Sequence, residues 1–172
     1  VRIGLGLWGY GPDQLAPGPV IAETPELQHC LRWISRINHV QMYPRRVPVG
    51  YGSTHKLKRE STLGVVPVGY GDGYPLALSN KATVRVHGPR EHERYYDVKV
   101  LGRVNMDQII IDLTDALDGR DGQAFIGTTV EVISDDPTAP NSVPARAKLA
   151  GSHPWEILCR LSPRLKRQYV RL

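Results

Sequence analysis

Ser61-Thr62-Leu63-Gly64-Val65-Val66-Pro67-Val68-Gly69-Tyr70-Gly71-Asp72-Gly73-Tyr74-Pro75 passes from a β-branched run into a glycine-rich turn. Val and Thr are stiff at χ1 and pack well on a pleated surface, so residues 61–68 read as a strand. The same punctuation recurs downstream. Residues 81–86, 97–104, 107–113 and 128–134 are rich in Val, Ile or Thr and bounded by Gly, Pro, Asn or Asp. That is the signature of short strands joined by turns. His87 to Tyr96 is polar and carries Gly88-Pro89, so it reads as a hairpin reaching into solvent.

Residues 27–42 carry two patterns. Leu27, Leu31, Ile34 and Ile37 fit a helical stripe, whereas Leu31, Trp33, Ser35 and Ile37 alternate as in a half-buried strand. The β-branched residues Ile34, Ile37 and Val40 favour strand. Helical signals are confined to the C-terminal part. Ser142 is placed to cap a helix over 144–150, with Pro144 in its first turn and Gly151 past its end. A second short helix begins near Pro154 and stops before Pro163. The expected fold is mainly β, barrel-like, with one or two short helices near the C-terminus.

The opening is different. Ile3-Gly4-Leu5-Gly6-Leu7-Trp8 is almost continuously apolar, as a strand buried on both faces would be. Gly9 to Pro19 reads as a loop. The chain opens on Val1 rather than methionine, and the expectation is that an upstream segment has been removed.

Composition excludes several classes. A chain of 172 residues with 41% apolar and 23% charged residues is long enough for a real core in one domain. No apolar run is long enough to span a bilayer. The net charge of +5 is not gathered with aromatics, so a solvated basic surface is expected rather than a nucleic-acid face. The densest basic run, Arg160 to Arg171, reads as a solvated tail. Cys30 and Cys159 are far apart, and the histidines fall at no metal-ligand spacing, so no metal site is expected. Cys159, in Ile157-Leu158-Cys159-Arg160, reads as packing. His55 reads as an ordinary loop histidine.

Three stretches carry chemistry. Tyr51 sits in Val49-Gly50-Tyr51-Gly52-Ser53-Thr54, Tyr70 in Gly69-Tyr70-Gly71-Asp72-Gly73, and Met106 in Gly102-Arg103-Val104-Asn105-Met106-Asp107-Gln108. Glycine admits positive φ and close approach of other atoms, so it can aim a phenol at a ligand. A phenol can also move a proton, although its reference pKa of about 10 requires a positive neighbour. Asp72 is placed to fix its turn through side-chain to backbone hydrogen bonds.

Together these stretches resemble the C-terminal domain of alanine racemase, a pyridoxal-phosphate (PLP) enzyme, from Val1 to about Val170. Gly69-Tyr70-Gly71-Asp72-Gly73-Tyr74-Pro75 is similar to the family's Gly-Tyr-Ala-Asp-Gly-Tyr-Pro signature, with Gly71 in place of alanine. The likeness runs on into Leu78-Ser79-Asn80. It implies that residues 1–10 are the last strand of an N-terminal (β/α)8 barrel and that 11–172 form the β domain. It implies a homodimer with shared sites, in which Tyr51 acts across the dimer as one of two bases that interconvert L- and D-alanine. Met106 would help hold the substrate carboxylate through its backbone amide. Tyr70 would line the inner mouth, and Arg103 the entrance corridor. Gly4 and Leu5 would hold the PLP phosphate through backbone amides. Arg2 would donate to the pyridine nitrogen. A guanidinium cannot accept a hydrogen bond, so that ring nitrogen would stay unprotonated and the electron sink weak. Trp155 stands where the family has a tyrosine that reaches the phosphate, and Asn105 where it has a small residue. The lysines, Lys56, Lys58, Lys81, Lys99, Lys148 and Lys166, match none that carries PLP, so the chain would hold half a site. A cytoplasmic supplier of D-alanine for peptidoglycan is implied, acting on a small amino acid, with no nucleic acid and no membrane. The other readings are a non-catalytic β-barrel binding module and a PLP racemase or decarboxylase for another amino acid.

Overall fold

Along Thr83–His87, Val84 and Val86 are fully buried while Thr83, Arg85 and His87 are half-buried, the alternation of a strand in a sheet with one face on a core. The chain is described by a computed structural model, covering residues 4–11, 27–89 and 94–170. Its strands are β1 (Trp33–Arg36), β2 (His39–Tyr43), β3 (Pro48–Val49), β4 (His55–Lys56), β5 (Ser61–Val66), β6 (Thr83–His87), β7 (Tyr95–Leu101), β8 (Ile109–Asp112) and β9 (Thr129–Ile133). Two helices follow, α1 (Val143–Ala150) and α2 (Pro154–Cys159).

Seven strands form one antiparallel sheet in the order β1-β9-β6-β7-β8-β5-β2, and β3 pairs with β4 as a separate ribbon. β1 and β2 stand at opposite ends of that order, yet only Ile37 and Asn38 separate them. Ile37 N–H donates to the Thr128 carbonyl at 3.2 Å and Asn38 N–H to the Val65 carbonyl at 3.0 Å. Two residues span less than about 10 Å. The sheet therefore curls into a half-barrel until its ends are bridged. Val66, Val84, Ile111, Val130 and Val132 fill the core.

The helix expected from residue 142 onward forms. Ser142 Oγ accepts from Ala145 N–H at 3.4 Å, and Gly151 ends α1 in the left-handed region at φ 66°. Inside this helix Arg146 is buried, without a carboxylate partner among the described residues. It donates to the carbonyls of Asn141, Thr83 and Val132, and its guanidinium lies 4.7 Å from the Tyr74 ring centroid. Arg146 thus joins α1 to β6, β9 and the turn after Tyr70. Arg146→Met is expected to cost about 2–4 kcal/mol, because it removes the side-chain donor from the buried Val132 carbonyl and the weaker ones from Asn141 and Thr83. Urea unfolding of both forms checks this; an unchanged midpoint would contradict it.

Three expectations change. Residues 4–8 form a 3-10 helix (Gly4–Trp8), not a strand. A strand needs neighbours for its N–H and C=O groups. This backbone turns on itself instead, with Gly9 N–H on the Gly6 carbonyl and Tyr10 N–H on the Leu5 carbonyl. β7 ends at Leu101, short of residue 104, because the next amides are taken by side chains: Gly102 N–H donates to Asn80 Oδ1 and Val104 N–H to Ser79 Oγ. Cys159 is exposed rather than packed, since Ile157 and Leu158 take the buried side of α2. The polar hairpin is present as β6 and β7, with His87 opposite Tyr95, although residues 90–93 lie outside the description. The loop expected at 9–19 lies mostly outside it too.

Candidate active site

The β3–β4 ribbon pairs Pro48 with Lys56 and Val49 with His55, and its tip is the turn Tyr51–Ser53. Gly50 and Gly52 flank Tyr51 at φ 70° and 73°, a region that strains other residues. The ribbon lies backbone to backbone on the stretch after β7. A Cβ on Gly102 would stand 2.7 Å from the Val49 carbonyl oxygen. Asn80 locks this contact. Its Oδ1 accepts from Gly102 N–H at 2.7 Å and its Nδ2 donates to Thr54 Oγ1 at 3.1 Å. Ser79 Oγ accepts from Val104 N–H at 3.0 Å. His55, expected in a loop, lies instead in β4 opposite Val49.

The Tyr70 turn lies on the far end of the same stretch. Tyr70 N–H donates to the Asn105 carbonyl at 3.0 Å and Gly71 N–H to the Met106 carbonyl at 2.9 Å. The approach is so close that a Cβ on Gly69 would fall 2.2 Å from the Met106 carbonyl oxygen. Asp72 holds the turn, accepting from Gly69 N–H through Oδ2 at 2.8 Å.

Residues 102–106 are therefore clamped between two tyrosine turns. Val49, Asp72, Gly102 and Val104 are buried beneath the frame, Asn80 and Thr54 close it at the surface, and the tips stand out: Tyr51 is 72% exposed, Tyr70 52% and Met106 52%. Among the described residues the Met106 N–H donates to no backbone acceptor. Arg103 is exposed beside it. Asn105 keeps its side-chain oxygen buried without a donor among the described residues.

The expected cofactor residues lie elsewhere in the domain. The Gly4–Trp8 helix packs against α2, which carries Trp155. Gly4 is exposed and Leu5 is buried in the core. Trp155 is 51% exposed and stacks on His153, ring centroids 5.0 Å apart. Backbone N–H groups at Gly4 and Leu5 and an indole N–H are all donors, which suits a phosphate. Arg2 lies outside the described residues.

One residue of the site was missed. Arg164, read as part of a solvated tail, donates to Asp72 Oδ1 at 2.7 Å and to Asp107 Oδ1 at 2.8 Å. The hydrogen bond to Asp72, then that to Asp107, raises the Arg164 pKa above its usual value. Nothing local marks this arginine in the basic run; only the fold brings it to the two aspartates.

The family model described as "Alanine racemase, C-terminal domain" matches residues 30–169. The chain belongs to that family. It is 36% identical over 172 residues to the alanine racemase of Thermodesulfovibrio yellowstonii, covering 99% of this chain and 40% of that protein. It is 37% identical over 170 residues to the catabolic alanine racemase of Pseudomonas putida, covering 99% and 42%. Among solved structures, alanine racemase from Bartonella henselae with covalently bound pyridoxal phosphate superposes with TM-score 0.75 at 30% identity, over 97% of this chain and 40% of that one. The enzyme from E. faecalis gives TM-score 0.77 at 27% identity, over 96% and 40%. The chain spans about two fifths of the length of the curated relatives it matches.

Proposed function

We propose that this chain is the β domain of a PLP-dependent alanine racemase and supplies half of each active site in a homodimer. The observation that carries the reading is the clamp. Tyr51, Tyr70 and the Met106 N–H are presented by three turns bonded to one another, in a chain of the alanine racemase family. Racemisation removes a proton from one face of the α-carbon and delivers one to the other. PLP supplies the electron sink when bound. Tyr51, on its exposed tip, serves one face from across the dimer. The Met106 N–H takes the substrate carboxylate and Tyr70 narrows the mouth. Arg103 lines the approach. Gly4, Leu5 and Trp155 hold the phosphate, Arg2 meets the pyridine nitrogen, and residues 1–10 belong with an N-terminal barrel. The covalent lysine belongs to that barrel, and the complete enzyme works in the cytoplasm, making D-alanine for peptidoglycan.

The test is direct. The full-length protein is expected to interconvert L- and D-alanine with PLP, read by optical rotation or by a coupled D-alanine assay. The isolated chain is expected to gain no covalent pyridoxyl group when mixed with PLP and reduced with borohydride. A stoichiometric label on one lysine of this chain, located by mass, would overturn the half-site. A full-length protein that binds amino acids without racemising them would favour the binding module.

A further inference from the structure

Arg164 and Asp72 are 92 residues apart in sequence, yet their side chains meet at 2.7 Å. Asp72 has its other carboxylate oxygen on the Gly69 N–H, so it belongs to the turn that carries Tyr70. Asp107, the second acceptor of Arg164, directly follows Met106. One guanidinium therefore joins the two loops whose tips are Tyr70 and Met106. It does so beside the backbone bonds from Tyr70 N–H to Asn105 and from Gly71 N–H to Met106. A guanidinium is planar and its donors form a rigid fork, so holding two carboxylates fixes the distance between them. Gly71 leaves the room for it. A Cβ there would lie 2.7 Å from Arg164 Nη2 and 3.1 Å from its Cζ. The arm to Asp107 is exposed on both sides and contributes little stability, whereas the arm to Asp72 ends on a buried carboxylate, so the bridge ties the exposed Met106 loop to the buried base of the Tyr70 turn.

We propose that Arg164 is a positioning residue of the site: seated over Gly71 and bridging Asp72 to Asp107, it fixes the separation of the Tyr70 phenol from the Met106 N–H. The inference rests on the racemase reading above. On that reading the two groups hold and size the substrate but do not move its proton. A loosened bridge weakens binding more than turnover. A methyl at Gly71 would press on the guanidinium, the far end of a flexible side chain, and displace it in part.

The full-length protein is tested as wild type, Arg164→Met, Arg164→Lys, Gly71→Ala, Asp107→Asn and the Arg164→Met/Asp107→Asn pair. Arg164→Met is expected to raise KM for alanine about 10- to 100-fold, with kcat falling by under about threefold. Arg164→Lys recovers part of the loss, as a point charge without the fork. Gly71→Ala shifts KM in the same direction. The double variant is no worse than Arg164→Met alone, since both break one bridge. Amide hydrogen exchange gives a readout independent of catalysis. Tyr70 and Gly71 amides are expected to exchange faster in Arg164→Met while Val100, bonded to the Ala82 carbonyl, is unchanged. If the wild type does not racemise alanine, the functional reading fails and exchange still tests the bridge. Unchanged KM with unchanged exchange at Tyr70 and Gly71 would overturn the inference. So would additive losses in the double variant, or faster exchange spread evenly through the core.

Discussion

Tyr51→Phe in the full-length enzyme is expected to slow α-proton exchange from one alanine enantiomer by about 100- to 10,000-fold, the range for loss of a positioned acid–base group. The other enantiomer is affected far less in its own exchange, because its proton meets the second base. By the family resemblance L-alanine is the one that suffers. The substitution removes one oxygen and keeps the ring. Tyr51 is 72% exposed in this domain, and the turn that carries it is held by Gly50, Gly102, Thr54 and Asn80 rather than by the phenol. Stability is therefore expected to change by less than about 0.5 kcal/mol, as for most surface substitutions. Heavy-water exchange of L- and D-alanine, followed separately by NMR or mass, distinguishes the cases. Equal, mild losses for both enantiomers would make Tyr51 a structural residue.

What was legible in the sequence was what local chemistry decides. Ser142, Pro144 and Gly151 mark α1 because a cap, a fixed φ and a left-handed stop are each carried by one side chain or its lack. The glycines around Tyr51 and Tyr70 mark sharp turns for the same reason. The ambiguous segment 27–42 resolves into β1 and β2 because its two halves complete opposite ends of one sheet. The errors lie where the deciding partner is distant. Residues 102–104 look like the end of a strand, but Asn80 and Ser79 take the amides a strand would use. Residues 4–8 have strand composition, but no strand neighbour is described for them, and their backbone bonds locally. Arg164 looks like one cation of a tail, because neither Asp72 nor Asp107 is near it in sequence. The clamp itself was foreshadowed only as three separate motifs. That they share one frame follows from the sheet, which returns β7 alongside β6 and so sets residues 102–106 beside the turns of Ser79, Asn80 and Tyr70.

Where the complete site is assembled can be read from mixed dimers. A subunit with Tyr51→Phe keeps its barrel lysine, and a subunit lacking that lysine keeps Tyr51. Neither homodimer turns over well. If Tyr51 acts across the dimer, a mixed dimer pairs the first subunit's lysine with the second subunit's Tyr51. One of its sites then has both bases and the other has neither. Random assortment makes about half of the dimers mixed, each with one competent site of two. Co-expression is therefore expected to restore about a quarter of wild-type activity for a closed two-fold dimer. Differential tags on the two subunits allow the mixed species to be isolated, and that fraction is expected to show about half of wild-type activity. A tyrosine acting within its own subunit predicts the opposite: every site in the mixed dimer lacks one base. An isolated mixed dimer as inactive as either parent would sink the shared site, and with it the reason for Tyr51 to stand exposed on a turn this firmly braced.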